Sequence, residues 1–234
     1  MRDLSGFPIT RRWPARDPDC IQLYSLNTPN GVKASIMLEE TGLRYEAHLV
    51  DIGANQSHTP EFLSLNPNGK IPAIIDPDGP GGRPIGLFES NAILVYLADK
   101  TRRFISDDAQ LRWQTLQWVF FQAAGVGPMF GQVGFFNKFA GREYEDKRPL
   151  KRYVDESRRL LGVLDTQLAG HDWLVGDDYT IADIAHLGWV RNLITFYEAR
   201  ALVGFDDFTQ VGAWLERGLQ RPAVQRGLAI PGRG

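Results

Sequence analysis

Residues 21–40 read Ile-Gln-Leu-Tyr-Ser-Leu-Asn-Thr-Pro-Asn-Gly-Val-Lys-Ala-Ser-Ile-Met-Leu-Glu-Glu, and they predict a strand, a tight turn and a helix. The strand covers residues 21–25, the turn is Thr28-Pro29-Asn30-Gly31, and the helix runs through residues 33–40. Proline is favoured at a first helical position, and asparagine and glycine are common in turns. A helix N-terminus presents unpaired N–H groups and the positive end of a dipole, so this turn suits an anion such as a thiolate.

The alternation of strands and helices continues to about Lys100. A strand over residues 44–50 follows the first helix, which predicts a parallel pair with a right-handed crossover. Residues 70–75 form an apolar strand, and Pro72 belongs at its entrance or at a sheet edge because proline cannot donate to a ladder. A short strand at 85–88 precedes a helix at 91–100. These signals indicate a small α/β domain over residues 21–101. Residues 1–20 are expected to form an irregular arm that packs on the body, with a partner-binding arm as the alternative.

Beyond Lys100 the pattern becomes helical. Residues 111–124 are rich in Trp and Phe, and Gly125-Val126-Gly127-Pro128 is expected to interrupt that helix. Residues 149–169 carry leucines at three- and four-residue steps, which predicts an amphipathic helix facing a core. Thr180-Ile181-Ala182-Asp183 resembles a capping box and opens a further helix. The prediction is an all-helical domain over residues 109–226.

Composition excludes several classes of function. The chain has 234 residues, a formal net charge of -2, one cysteine and four histidines. The charge balance gives no bulk attraction to nucleic acid or to an anionic membrane, and one cysteine excludes an intramolecular disulfide framework. The sequence has no uninterrupted run of about 18 apolar residues and no signal-peptide core, so we expect a cytoplasmic protein. The histidines lack metal-ligand spacing, so we expect no bound metal.

Four segments carry a further signal, at residues 28–33, 66–73, 88–97 and 127–132. Together they resemble the cytosolic glutathione transferases, and specifically the nu class with bacterial disulfide-bond oxidoreductases and relatives similar to the yeast nitrogen-regulation prion protein. The resemblance covers roughly residues 21–225. It implies an N-terminal thioredoxin-like domain, a C-terminal helical bundle, a homodimer, and glutathione or its disulfide as ligand. The segments are Thr28-Pro29-Asn30-Gly31-Val32-Lys33, Asn66-Pro67-Asn68-Gly69-Lys70-Ile71-Pro72-Ala73, Phe88-Glu89-Ser90-Asn91-Ala92-Ile93-Leu94-Val95-Tyr96-Leu97 and Gly127-Pro128-Met129-Phe130-Gly131-Gln132.

The residue types suit the parts of glutathione. Glu89 is a carboxylate for the ammonium of its amino-acid head, and Ser90 opens a helix whose N–H groups suit the head carboxylate. A plain N-cap role for Ser90 is compatible with that function. Ile71, held by Pro72, offers backbone groups to the cysteine unit of the ligand, as an added strand would. Lys70 is a candidate for the far carboxylate.

Gln56 and Arg152 are two further candidates, and for each a binding role and a surface role are equal alternatives. Gln56 is either a second partner of the far carboxylate or a solvated surface residue. Arg152 matches an arginine that reaches the glutathione site in nu-class relatives, and it otherwise reads as a solvent-facing charge.

The thiol is expected at the turn, with Thr28 and Asn30 as the catalytic residues. A charge-assisted hydrogen bond is worth about 1.5–3 kcal/mol, and a pKa unit is about 1.36 kcal/mol, so one or two bonds lower a thiol pKa toward neutrality. A simple structural turn is the alternative for these two residues. Tyr24 is expected to pack, and Cys20 lies before the first strand, outside the motif.

The resemblance points to glutathione-dependent reduction of small disulfides, with weak transferase or peroxidase activity. No protein cysteine is needed, because the ligand brings the sulfur. Conjugation to an electrophile and thiolytic ether cleavage of an aromatic substrate use the same thiolate and stay open as alternatives. A non-catalytic binding or regulatory protein is the alternative of another class.

Overall fold

Every residue of the first strand is buried, which puts it inside a four-stranded sheet. The computed structural model describes residues 2–232. The strand order is β2-β1-β3-β4: β1 runs parallel to β2, with Ile21 opposite Tyr45, and β3 is antiparallel to both β1 and β4. The parallel pair predicted from the strand–helix–strand unit is therefore confirmed. The strands are β1 Ile21–Ser25, β2 Tyr45–Leu49, β3 Ala73–Asp76 and β4 Ile85–Phe88.

The chain divides into two compact units, residues 2–101 with 222–232 and residues 102–221. The last helix thus belongs to the first unit. It lies against α1, where the Ser35 hydroxyl donates to the Gly227 carbonyl at 2.6 Å. The predicted domain limits, 21–101 and 109–226, stay predictions, because a division into compact units does not define domain boundaries. The helices of the first unit are α1 Gly31–Thr41, α2 Pro60–Leu63, α3 Ser90–Thr101 and, near the C-terminus, α9 Pro222–Gly227.

The N-terminal arm packs on the first unit, as the sequence suggests. Leu4 and Ile9 are buried in one cluster with Tyr24 and Phe62. The Trp13 indole donates to the Leu49 carbonyl at 3.0 Å, which ties the arm to the edge strand β2. Apolar burial and directional hydrogen bonds both hold this segment, so the arm is part of the domain.

The second unit consists of five α-helices and short connecting turns. The predicted interruption at residues 125–128 is wrong, because a wide π-helical turn over Gln122–Val126 carries the chain directly from α4 to α5. Pro128 lies in the first turn of α5, directly after this wide turn. The helices are α4 Ala109–Phe121, α5 Gly127–Asn137, α6 Arg148–Leu168, α7 Ile181–Ile194 and α8 Thr209–Leu219.

The continuous helical run Ala109–Asn137 is 29 residues long and apolar enough to cross a membrane by length and composition. The π-helical turn joins α4 and α5 into this single run. The interruption expected from the sequence would have divided it into two shorter helices. Length and composition carry little weight by themselves, because the core helices of soluble proteins meet the same test.

Helix α6 presents a buried stripe, as its leucine spacing predicts. Leu160, Leu161, Leu164 and Leu168 are buried, and Ser157 is fully buried on the same stripe. Ser157 therefore lies on the same buried face as the leucines.

Helix α7 is the centre of the helical unit, since residues 181–190 are all buried. The predicted capping box at its start is confirmed: Thr180 accepts from the Ala182 N–H, and Asp183 accepts from the Thr180 N–H. Asp183 also accepts from the Leu174 N–H at 3.0 Å and from the Trp214 indole at 2.9 Å. Complete burial raises the pKa of Asp183 to about 6, against hydrogen bonds that favour the carboxylate.

We expect Asp183→Ala to destabilise the protein by about 3–5 kcal/mol, because it removes a helix cap and leaves buried N–H groups without an acceptor. The loss should lower the melting temperature by roughly 10 °C in calorimetry. Asp155→Ala is the matched control, since Asp155 forms an exposed ion pair with Lys151, and such pairs are worth at most about 1 kcal/mol. Equal melting temperatures for the two variants would contradict the role assigned to Asp183.

Candidate functional site

The turn between β1 and α1 is held by Thr28. Its carbonyl accepts from the Val32 N–H at 2.9 Å, and its hydroxyl accepts from the Gly31 N–H at 3.2 Å. A hydroxyl that accepts here still has its own hydrogen to donate. Thr28 therefore fixes the helix start and keeps one donor for another group.

Gly31 is required by a close backbone approach. A Cβ atom added at Gly31 would lie 1.8 Å from the Leu26 carbonyl oxygen and 2.7 Å from the Ser25 hydroxyl. No side chain fits at that distance, so only glycine lets the first turn of α1 press against the end of β1. This approach sets where the neighbouring Asn30 lies.

A cavity of about 320 Å³ in the first unit brings together six of the predicted site residues. Its size is within the range of small-molecule sites. Two asparagines of the turn before β3 complete the lining, and sequence reasoning had read them only as turn residues. The predicted residues in the lining are Asn30, Lys70, Ile71, Pro72, Glu89 and Ser90, and the added ones are Asn66 and Asn68.

The strand entrance has the form expected from its proline. The ladder between β1 and β3 begins at the pair Tyr24 and Ala73, so Ile71 lies just before the paired residues. The peptide between Ile71 and Pro72 is cis. Asn66 is buried and donates to the Lys70 carbonyl at 2.5 Å, which fixes the chain that enters the strand.

Glu89 and Ser90 lie where β4 passes into α3. Glu89 has a φ of 70°, a left-handed conformation that is uncommon for a residue with a side chain. Its carbonyl accepts from the Ile93 N–H at 2.9 Å, and its side chain is exposed. Ser90 is buried, and its hydroxyl lies 3.5 Å from the Asn30 side-chain oxygen. Backbone conformations of this kind cluster at functional sites.

Lys33 lies beneath this corner and was missed as a site residue. It is 1% exposed, and its ammonium donates to the Ser90 hydroxyl at 3.2 Å and to the Asn91 amide oxygen at 2.9 Å. Burial lowers the pKa of Lys33 to about 7, and the charge of Glu89 opposes that shift. The sequence offered one signal, a lysine within the mostly apolar start of a helix. The structure buries residues 31–38 of that helix.

The other predicted candidates lie elsewhere. Gln56 is half-buried, and its side-chain oxygen accepts from the Asp51 N–H at 2.9 Å, so it supports a loop and does not line the cavity. Arg152 is exposed on α6 of the second unit. Thr28 adjoins the cavity through its neighbour Asn30 but is not in the lining.

Two residues near the turn, and Cys20 at the other end of β1, are unsuited to activating a thiol. Tyr24 is fully buried and stacks on His48 with ring centroids 4.8 Å apart, which is the packing role expected for it. Ser25 is fully buried as well. Burial raises the pKa of the Cys20 thiol, whose Sγ donates to the Asp17 carbonyl at 3.2 Å. A buried thiol of raised pKa is inert.

Within residues 2–232, no cluster of three or more His, Cys, Asp or Glu side chains is arranged to hold a metal ion. The lining of the cavity carries hydroxyl, amide, ammonium and carboxylate groups. Groups of these kinds can form charge-assisted hydrogen bonds with a charged ligand.

Residues 28–100 match the family described as glutathione S-transferase, N-terminal domain, and residues 126–222 match glutathione S-transferase, C-terminal domain. The chain belongs to the glutathione S-transferase family. Its first unit is the thioredoxin-like domain of that fold and its second the helical domain, so the predicted family and fold class are confirmed. The nu-class label stays a prediction.

Relatives of this transferase-family chain are similar over nearly their whole length. The disulfide-bond oxidoreductase YfcG of Escherichia coli is 44% identical over 89% of this chain and 94% of its own. A glutathione transferase of Burkholderia graminis, solved with two glutathione molecules per subunit, is 64% identical over 100% of this chain and 98% of its own, with a TM-score of 0.99. A glutathione transferase of Pseudomonas putida, solved with one glutathione disulfide per subunit, is 62% identical over 98% of this chain and 100% of its own. Its TM-score is 0.97.

Proposed function

We propose that this chain is a glutathione-dependent reductase of small disulfides. The observation that carries the proposal is that Asn30, Glu89 and Ser90 line one cavity beside the start of α1. The transferase of Pseudomonas putida holds glutathione disulfide, and the similar protein of Escherichia coli is a disulfide-bond oxidoreductase. Glutathione is the proposed co-substrate, without a metal.

Glutathione matches the cavity group by group. Its head ammonium pairs with Glu89, and its head carboxylate accepts from the hydroxyl of Ser90 and from N–H groups at the start of α3. Its cysteine unit pairs with the backbone of Ile71 ahead of the sheet ladder. Lys70 is exposed at the rim and is suited to the far carboxylate. The roles of Gln56 and Arg152 in glutathione binding stay predictions.

The thiol is then directed to the turn before α1. Thr28 has a hydrogen to donate, Asn30 has an amide donor, and the helix dipole favours the anion. Each charge-assisted bond to the sulfur is worth about 1.5–3 kcal/mol, which lowers a thiol pKa by one to two units.

The reaction balances without a protein cysteine. The bound thiolate attacks one sulfur of the disulfide, forming a mixed disulfide and releasing the other sulfur as a thiolate that takes up a proton. A second glutathione thiolate attacks the mixed disulfide at the glutathione sulfur, giving glutathione disulfide and the second reduced thiol. Overall, two glutathione molecules are oxidised and one disulfide is reduced.

Conjugation, peroxide reduction and ether cleavage require the same thiolate, so an assay must rank them. Turnover of a small hydroxyalkyl disulfide with glutathione, measured beside that of an aromatic halide, is the direct test. A regulatory protein without catalytic activity is disfavoured, because such a protein needs neither a carboxylate nor a hydroxyl in the cavity. We propose a cytoplasmic protein without nucleic-acid or membrane partners.

Glu89→Gln should weaken glutathione binding about 10- to 100-fold, because it removes the charge from one charge-assisted bond. Titration calorimetry measures the change. Glu145→Gln is the control, since Glu145 is an exposed glutamate of the second unit. Unchanged affinity in the Glu89 variant would refute the head-group assignment.

Thr28→Val and Asn30→Ala should each lower disulfide-reductase turnover about 10- to 100-fold, because each removes one hydrogen bond to the thiolate. The acidic limb of the pH–rate profile should move to higher pH in both. Thr28→Ser keeps the hydroxyl and should retain activity, and Cys20→Ser should be nearly silent. Loss of activity in Cys20→Ser, or wild-type rates in both turn variants, would exclude this mechanism.

A two-fold homodimer is part of the proposal. Trp113 is 69% exposed and Phe120 is 67% exposed, and they are seven residues apart on one face of α4. Aromatic groups exposed in this way mark interaction surfaces. Light scattering should return twice the 26.3 kDa of the chain, and Trp113→Glu with Phe120→Glu should halve that mass. Leu202→Glu, at another exposed apolar residue, should leave the mass of the dimer unchanged.

A further inference from the structure

A buried cation that the proposed mechanism does not use lies behind Ser90 in the cavity wall. Lys33 is 1% exposed, and residues 31–38 of α1 around it are all buried. Burying an ammonium costs free energy unless hydrogen bonds and opposite charge compensate. The burial of Lys33 at this cost therefore suggests a functional role for its side chain.

Two hydrogen bonds of Lys33 lead toward the cavity corner. The ammonium donates to the Ser90 hydroxyl at 3.2 Å and to the Asn91 side-chain oxygen at 2.9 Å. Ser90 and Asn91 are the first two residues of α3. The lysine thus connects the first turn of α1 to the first turn of α3 from below the cavity.

The bond to Ser90 also sets a direction for its hydroxyl. An ammonium can only donate, so the Ser90 oxygen accepts from Lys33 and its hydrogen is left to donate outward. The Asn30 side-chain oxygen lies 3.5 Å away on the cavity wall, at the long end of hydrogen bonding. A ligand carboxylate at the start of α3 is a stronger acceptor for the same hydrogen.

Burial and the charge of Glu89 act in opposite directions on Lys33. Glu89 raises its pKa and burial lowers it to about 7. On the helices packed against α1, Arg226 of α9 pairs with Glu39, and Lys100 at the far end of α3 pairs with Asp76. An anion at the start of α3 would therefore act directly on the charge of Lys33.

We infer that Lys33 is a positioning residue of the glutathione site: as an ammonium it holds Ser90 and Asn91 so that the start of α3 receives the carboxylate of the ligand's amino-acid head. This inference rests on the proposed function. It assigns the lysine no bond to the thiol and no role in breaking the disulfide. Its effect is therefore on binding, and it appears in KM for glutathione rather than in kcat.

Lys33→Met removes the donors and the charge while keeping a long side chain. We expect affinity for glutathione to fall about tenfold and KM to rise correspondingly, with kcat at saturating glutathione nearly unchanged. The melting temperature at pH 7.5 should stay equal or rise, because a buried ammonium is removed. Lys151→Met, at an exposed lysine of α6, should match the wild type.

The pH dependence of stability gives a second readout on the fold. The unfolded chain keeps the lysine proton up to a pKa of about 10.5, whereas the folded chain releases it near pH 7. Stability therefore rises with pH across that window, because the unfolded state binds more protons there. Lys33→Met should remove this slope, and Lys151→Met should keep it.

Proton uptake tests the inference on the unaltered protein. S-methylglutathione has the amino-acid head but no thiol proton to lose. At pH 7.5 its binding should draw in roughly half a proton per site, because the bound carboxylate favours the ammonium of Lys33. Calorimetry in buffers of different ionisation enthalpy measures that number, and uptake should disappear in Lys33→Met.

The outcomes separate the two claims. If the wild type binds neither glutathione nor S-methylglutathione, the proposed function fails. If it binds both, but takes up no proton and loses no affinity on Lys33→Met, the proposed function stands and the role of Lys33 is refuted. Should Lys33→Met fail to fold, the uptake measured on the wild type decides the question.

Discussion

The close approach of Gly31 to the Leu26 carbonyl is the constraint on which the site depends. A Cβ atom at that position would lie 1.8 Å from the oxygen, so the first turn of α1 comes as close to β1 as a backbone allows. Thr28 then closes the turn through its hydroxyl and carbonyl. Asn30 is carried to the cavity wall, and Lys33, one turn later, lies beneath it.

Two helix starts border one cavity as a result. Asn30 precedes α1 and Ser90 begins α3, and both line the same space. Each helix start contributes the positive end of a dipole, and Lys33 adds a buried charge that the exposed carboxylate of Glu89 partly balances. The field favours anionic groups at the two helix starts and an ammonium near Glu89, which in the proposed complex are the thiolate, the head carboxylate and the head ammonium of glutathione.

The helical unit is organised differently, around a buried acid. Asp183 caps α7 and also accepts from the indole of Trp214 on α8, so one carboxylate ties a helix start to a neighbouring helix. Local sequence is enough to suggest the cap, because its residues are three apart. The bond to Trp214 spans 31 residues and depends on how the helices pack.

The sequence by itself determined the family, the strand–helix order and most of the cavity lining, because these depend on short motifs: Thr28–Gly31, Asn66–Ala73 and Glu89–Ser90. Each carries its own turn chemistry or helix start, so its local structure does not depend on distant residues. Tertiary structure alone decided the rest. The continuous run from α4 to α5 depends on a π-helical turn that accommodates Pro128, and the Gln56 side chain accepts from the loop at Asp51. Lys33 reads as one polar residue of a helix until α3 packs above it and its ammonium meets Ser90, since burial and long-range hydrogen bonds are properties of the packed chain.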